Sequence, residues 1–109
     1  MSIPIPMILC YNNGKKASEI YIVNGKYHRE DGPACIRWYR NGQKESEEYC
    51  VNDKSHREDG PARIAWTLTG QIMNELYYID GHQKSIGYFL EQGFKKNKCK
   101  SCNKTYLEK

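Results

Sequence analysis

Short runs in which apolar and polar residues alternate are broken at regular intervals by Asn-Gly, Asn-Asp, Thr-Gly and Asp-Gly pairs. Period-two alternation predicts β-strands, because successive side chains on a strand point to opposite faces. The interrupting pairs tolerate the positive φ that type I′ hairpin turns require. Met1 to Pro6, with two prolines, reads as an extended lead-in to an apolar strand over 7–11. Asn13-Gly14 then predicts a type I′ turn into a strand from Ser18 to Val23, which ends at Asn24-Gly25, and a brief strand surrounds Lys26 to His28. The plan is copied by strands Ala34 to Tyr39 and Ser46 to Val51, with turns at Asn41-Gly42 and Asn52-Asp53. A third copy has strands Ala62 to Leu68 and Asn74 to Ile79, with turns at Thr69-Gly70 and Asp80-Gly81. Turn signals every 11 to 17 residues predict an all-β meander.

The copies are related by a fixed step. His28-Arg29-Glu30-Asp31-Gly32-Pro33-Ala34 returns letter for letter as His56-Arg57-Glu58-Asp59-Gly60-Pro61-Ala62, 28 residues later. Glu19, Glu47 and Glu75 keep the same register, as do Tyr21, Tyr49 and Tyr77, and Val23, Val51 and Ile79. The expected fold is an all-β tandem array of antiparallel β-hairpins with a 28-residue period, a short C-terminal capping segment and a basic tail. Residues 1–93 form the repeat domain, in units of about 11–38, 39–66 and 67–93, and residues 94–109 the tail. Ala34, Ile36 and Trp38 share one face, matched by Ala62, Ile64 and Trp66, while Arg37 and Arg63 point to water. Ladders of Ile8/Ile36/Ile64, Tyr21/Tyr49/Tyr77 and Val23/Val51/Ile79 are expected to form the core, because one hairpin cannot bury its face alone. After Gly81 the pattern fails. Ser85 to Gln92 suits a short helix or a last strand, with Gly93 as a helix C-cap residue, and an aberrant terminal unit covers the open end of an array.

Composition narrows the class without naming a function. Hydrophobic residues make up 39% of the chain and aromatic residues 12%, with nine tyrosines, too aromatic for a typical disordered chain. No apolar run approaches membrane-spanning length and no signal-peptide pattern opens the chain. Five cysteines with no framework spacing point to reduced thiols in an intracellular compartment. The net charge of +4 is concentrated in residues 94–109, which hold six lysines against one glutamate. A lysine-rich tail of this kind reads first as a solvated terminus.

His, Arg, Glu and Asp in one heptapeptide suggest acid–base chemistry. The motif occurs twice, however, and neither a nucleophile nor a metal set accompanies it, so the chain is expected not to be an enzyme. Local roles account for each residue. Asp31 and Asp59 accept backbone amides in an Asx-type turn, Gly32 and Gly60 permit positive φ, and Pro33 and Pro61 fix the exit into the next strand. Arg29 and Glu30 pair within the loop or with Arg57 and Glu58 one unit away, and His28 and His56 serve as loop hydrogen-bonders. The two loops together are expected to line one edge as a charged docking strip.

This heptapeptide, set between strands rich in tyrosine and Asn-Gly, closely resembles the repeat units abundant in giant DNA viruses of amoebae and scattered in bacteria, which are grouped as variants of the MORN repeat. The resemblance covers residues 11–81. It implies a β-hairpin scaffold or interaction surface with no activity to carry over; some bacterial relatives are labelled antitoxin components. The function expected on this basis is a small structural component of a large DNA virus particle, of the minor capsid or cement type, with protein neighbours as partners and the virion as location.

Cys99-Lys100-Ser101-Cys102 places two thiols at the spacing of half a tetrahedral zinc site. Cys10, Cys35 and Cys50 fall on expected strands and no histidine follows, so the other half would come from remote thiols or a second chain. A cofactor is not otherwise expected. Six lysines with Phe94 and Tyr106 among them also suit single-stranded nucleic acid, but the repeats supply no basic stripe, and protein partners remain the primary expectation.

Overall fold

The turn pairs divide into two kinds, and that division shapes each unit. Asn24-Gly25, Asn52-Asp53 and Asp80-Gly81 have positive φ at both positions, the backbone of a type I′ turn. At Asn13-Gly14, Asn41-Gly42 and Thr69-Gly70 only the glycine does, so the type I′ reading of Asn13-Gly14 is corrected. The chain makes a wider loop there, in which the Gly14 amide donates to the Tyr11 carbonyl and the Tyr11 amide to that of Lys15. The Asn13 side chain braces this loop, accepting the Lys15 amide at Oδ1 and donating from Nδ2 to the Arg40 carbonyl of the next unit.

The computed structural model describes residues 5–109, and the first part of the expected lead-in, residues 1–4, lies outside the described residues. Unit one consists of β1 (Pro6–Cys10), β2 (Lys16–Val23) and β3 (Lys26–Tyr27). Unit two adds β4 (Cys35–Trp38), β5 (Lys44–Glu48), β6 (Cys50–Val51) and β7 (Lys54–Ser55). Unit three adds β8 (Arg63–Trp66), β9 (Ile72–Ile79) and β10 (His82–Lys84). The main sheet runs β1-β2-β4-β5-β8-β9-β10 with β3 beside β2, and every pairing is antiparallel. The all-β array of consecutive hairpins expected from the alternation is therefore what forms. With extents of 46 × 37 × 20 Å, it is a slab thin enough for one sheet and a partial second layer.

The repeated side chains lie side by side across one face of this sheet. In register, Ile8 faces Glu19, Glu19 faces Ile36, Ile36 faces Glu47, Glu47 faces Ile64, and Ile64 faces Glu75. The expected Ile8/Ile36/Ile64 ladder is thus interleaved with a carboxylate between each pair of isoleucines. Its burial is also graded: Ile64 is 1% exposed and Ile36 8%, but Ile8 on the edge strand is 45% exposed. Tyr77 and Trp66 are buried while Tyr21, Tyr49 and Trp38 are half-buried. The expectation of a core spread evenly over three units is corrected, because only the C-terminal half of the face is covered.

The cover combines the expected capping segment with the segment expected to be a solvated tail. After β10 comes α1 (Ile86–Glu91), ended by Gly93 at φ +90. The Phe94 amide donates to the Phe89 carbonyl and the Gly93 amide to that of Leu90, a Schellman closure. β11 (Lys95–Lys98) and β12 (Thr105–Glu108) then form a hairpin that folds back on the sheet. Along β12, Thr105 and Leu107 are buried while Tyr106 and Glu108 are exposed, the alternation of a strand with one face on a core. Leu107 packs with Tyr77 and Phe89 in the main hydrophobic cluster, joined by Ile79, Ile86, Tyr88 and Phe94. Phe94 is therefore committed to the core and is not free to stack on a base.

Thr105 fastens the hairpin. Its amide donates to Glu75 Oε2 at 2.9 Å and its Oγ1 to Glu75 Oε1 at 2.8 Å. Hydrogen bonds to a charged group contribute about 1.5–3 kcal/mol. Thr105→Val, which keeps shape and removes one donor, is expected to lower stability by about that amount in urea unfolding. Lys95→Ser, exposed on β11 opposite the outward-facing Glu108, should stay within about 0.5 kcal/mol of the parent.

Candidate interaction site

The heptapeptide loops lie at the end of the sheet carrying the type I′ turns, and each is fixed by its own arginine. Arg29 Nε donates to Asp31 Oδ1 at 3.0 Å and Nη1 to the Pro33 carbonyl at 3.2 Å. One unit on, Arg57 repeats this with Asp59 at 2.9 Å and Pro61 at 3.2 Å. Each guanidinium also lies over a tyrosine, Arg29 at 4.0 Å from the Tyr21 ring centre and Arg57 at 4.1 Å from that of Tyr49, a cation–π contact. The expected pairing of arginine with glutamate, within or between loops, is replaced by Arg–Asp pairing within each loop. Asp31 and Asp59 accordingly accept a guanidinium in place of the expected backbone amides.

The glycines are required for a different reason from the one expected. Neither Gly32 nor Gly60 has positive φ. A Cβ at either would lie 2.9 Å from the guanidinium carbon of Arg29 or Arg57, closer than carbon atoms can approach. Glycine here leaves room for the arginine to cross the loop.

The histidines join successive units. The Asn52 amide donates to His28 Nδ1 at 3.1 Å, and the Asp80 amide to His56 Nδ1 at 3.0 Å. Beside them the Arg29 amide donates to the Cys50 carbonyl and the Arg57 amide to the Tyr78 carbonyl. A neutral imidazole has one basic nitrogen, and here a backbone amide occupies it, so the proton sits on Nε2. From there it faces a glutamate, His28 at 3.8 Å from Glu30 and His56 at 3.4 Å from Glu58. Neither ring keeps a free lone pair with which to take a proton from a substrate.

What the loops leave outward is carboxylate. The side chains of Glu30 and Glu58 are 80% and 82% exposed. Those of Asp31 and Asp59 stand at the surface on the outer side of their arginines. Between the loops runs an open groove of about 660 Å³, lined by Arg29, Glu30, Asp31 and Gly32 on one side and by His56, Arg57, Glu58 and Asp59 on the other. Tyr49, Val51 and Asp80 complete its walls. The structure thus brings the two heptapeptides together along one rim, with their carboxylates outward and their cations folded back.

A second group joins the glutamates and tryptophans of the repeat to lysines that the sequence had not singled out. Glu47 is buried between Ile36 and Ile64 and takes Lys44 Nζ at 2.7 Å and Lys104 Nζ at 3.1 Å. Both ammonium groups also lie over the Trp66 ring, at 5.8 and 5.6 Å. In unit one Lys16 donates to Glu19 at 3.0 Å and lies 5.5 Å from the Trp38 ring. Burial opposes the charge of Glu19, but hydrogen bonds from Lys16 and Tyr21 outweigh it and hold the carboxyl below its ordinary range. The signal was present in the Lys-x-x-Glu spacing of 16/19 and 44/47, which unit three breaks with Ile72.

The cysteines fall into distinct environments. Cys35 and Cys50 are buried on the opposite face of the sheet, where burial raises both thiols, Cys50 to about 12. Cys99 and Cys102 occupy the tip of the β11–β12 hairpin. Hydrogen bonds from the Ser101 hydroxyl, then the Cys102 thiol, then the backbone amides of Cys102 and Ser101, lower Cys99 to about 6. No family model matches the chain, and no curated protein or solved structure is significantly similar to it.

Two outcomes follow from this geometry. Gly60→Ala is expected to push the flexible end of Arg57 off Tyr49 and cost about 0.5–2 kcal/mol, the loss of a cation–π contact and a surface ion pair, read in thermal or urea unfolding. Because the thiolate is the nucleophile, iodoacetamide at neutral pH should modify Cys99 well before Cys35 or Cys50. Mass spectrometry of timed samples reads the order, and early modification of Cys50 would contradict the burial argument.

Proposed function

We propose that this chain is a non-catalytic protein-interaction module of the MORN-variant repeat type, and that it serves as a minor capsid or cement-type component of a large DNA virus particle. The observation that carries the reading is the division of labour in the heptapeptide loops. Arg29, Arg57, His28 and His56 are used internally, as ties within and between units, and the exposed glutamates are left to meet a partner. A rim held in this way presents its carboxylates without the cost of ordering a flexible loop on binding. The surface it offers suits a basic segment of a neighbouring protein, since charge complementarity selects partners and sets association rate. The viral setting rests on the resemblance of the heptapeptide and its flanking strands to the repeats of giant DNA viruses.

The test uses carbodiimide cross-linking, which joins carboxylates directly to amines. In source extracts or purified particles, Glu30 and Glu58 are expected to link to lysines of a neighbouring protein. The E30Q/E58Q variant should lose these links while keeping its circular dichroism spectrum. Links confined to other surfaces would remove the docking role of the rim. Absence of the protein from purified particles would remove the capsid assignment.

A further inference from the structure

The tip of the β11–β12 hairpin is more ordered than its purpose as a connection requires. The Cys99 amide donates to the Lys104 carbonyl at 2.9 Å and the Asn103 amide to the Cys99 carbonyl at 2.8 Å. Asn103 takes the left-handed backbone, φ 61, that closes so tight a reversal. Inside this turn the Ser101 hydroxyl lies 3.2 Å from the Cys99 sulfur. Cys102 stands exposed beside it and no disulfide joins the two. Two free thiols three residues apart on one hydrogen-bonded turn form a bidentate pair held ready for a soft metal ion. The hairpin is anchored to the sheet right beside this tip, through Lys104 on Glu47 and Thr105 on Glu75, with Leu107 in the core.

A tetrahedral zinc ion needs four ligands. Among the described residues no group of three or more His, Cys, Asp or Glu side chains could hold a metal ion, so one chain supplies two ligands only. We propose that Cys99 and Cys102 of one chain and the same pair of a second copy bind a single zinc ion, joining two molecules tip to tip through a tetrathiolate centre. Cys102 is exposed at this tip, and the same surface on both molecules meets across a two-fold axis, the simplest closed arrangement for identical chains. A zinc ion with four thiolates carries a net charge of −2, and the exposed Lys98 and Lys100 of each copy offset it. Each thiol releases its proton to solvent as it ligates. This inference is independent of the loop rim, which lies at another surface of the molecule.

The test uses the full chain, reduced and freed of metal with a chelator, then titrated with zinc chloride under native mass spectrometry and light scattering. The expected result is conversion of monomer to dimer with an end point of one zinc per two chains. Cobalt in place of zinc should give visible bands of tetrahedral thiolate coordination at the same stoichiometry. Cys99→Ser and Cys102→Ser should each abolish the zinc-dependent dimer, and Cys10→Ser, which alters an exposed thiol elsewhere, should leave it intact. Circular dichroism and unfolding midpoints of the serine variants check that the fold persists. If a serine variant unfolds, native protein alkylated at Cys99 should likewise fail to dimerise. One zinc per monomer, dimerisation that survives loss of Cys99 and Cys102, or no zinc retained would each overturn the proposal.

Discussion

The middle of the sheet's inner face contains carboxylates where an apolar surface would be expected, and the rest of the structure answers that constraint. Glu19, Glu47 and Glu75 stand in cross-strand register with the isoleucines. A buried charge is tolerated only if it is paired and hydrogen-bonded. Each unit meets the requirement differently. Glu19 takes Lys16 and the Tyr21 hydroxyl, and Glu47 takes lysines from its own unit and from the C-terminal hairpin. Glu75 has Ile72 where the other units have lysine, and takes the amide and hydroxyl of Thr105. Loss of the local lysine in unit three thus makes the terminal hairpin an obligatory part of the array.

The same logic governs the tyrosines beside that row. Over Tyr21 and Tyr49 the lid is an arginine crossing from the heptapeptide loop. Ser85 stands where the next arginine of the series would fall, and the lid over Tyr77 becomes Phe89, with ring centres 5.5 Å apart, together with Leu107. An arginine lid is half solvated and an aromatic lid is dry. The array therefore grades from a wet, half-covered first unit to a closed third one, and most of its apolar burial lies at the C-terminal end. The exposed Met7, Ile8 and Leu9 of β1 mark the open end of that gradient.

Much of the fold was legible because strand alternation, turn pairs and an identical heptapeptide are local signals that agree. The positions of the second strands, the turns at 24/25, 52/53 and 80/81, and a terminal segment suited to a helix or a strand with Gly93 behind it follow from residues close in sequence, and the structure settles that segment as a helix. What escaped depended on contacts that no short window contains. Gly32 looks like a backbone-conformation glycine, and only the path of Arg29 over Tyr21 shows it to be a space-filling constraint. The hairpin of 95–108 has no counterpart in the repeat, and its lysines hid a Thr-Tyr-Leu-Glu alternation that places Thr105 and Leu107 inward. The Glu row was visible as a repeat, but its interleaving with isoleucine depends on register between strands, which composition does not specify.

A tie between units and a surface for partners place opposite demands on a loop, and the heptapeptide separates them by residue. The arginine and histidine are consumed in bonds that recur at the same step along the chain, so neither loop can change conformation without loosening its neighbour. The glutamate adjoining each arginine touches only the histidine of its own loop and points out. Because the internal ties are identical, the two outward carboxylates are held at a spacing set by the sheet and not by loop flexibility. On the docking role proposed for this rim, a partner carrying two cations at that spacing would bind the second station intramolecularly, with an effective concentration that a pair of mobile loops could not provide. Such recognition would depend on the distance between stations more than on the chemistry of either, and that distance is set by the same register that pairs isoleucine with glutamate across the sheet.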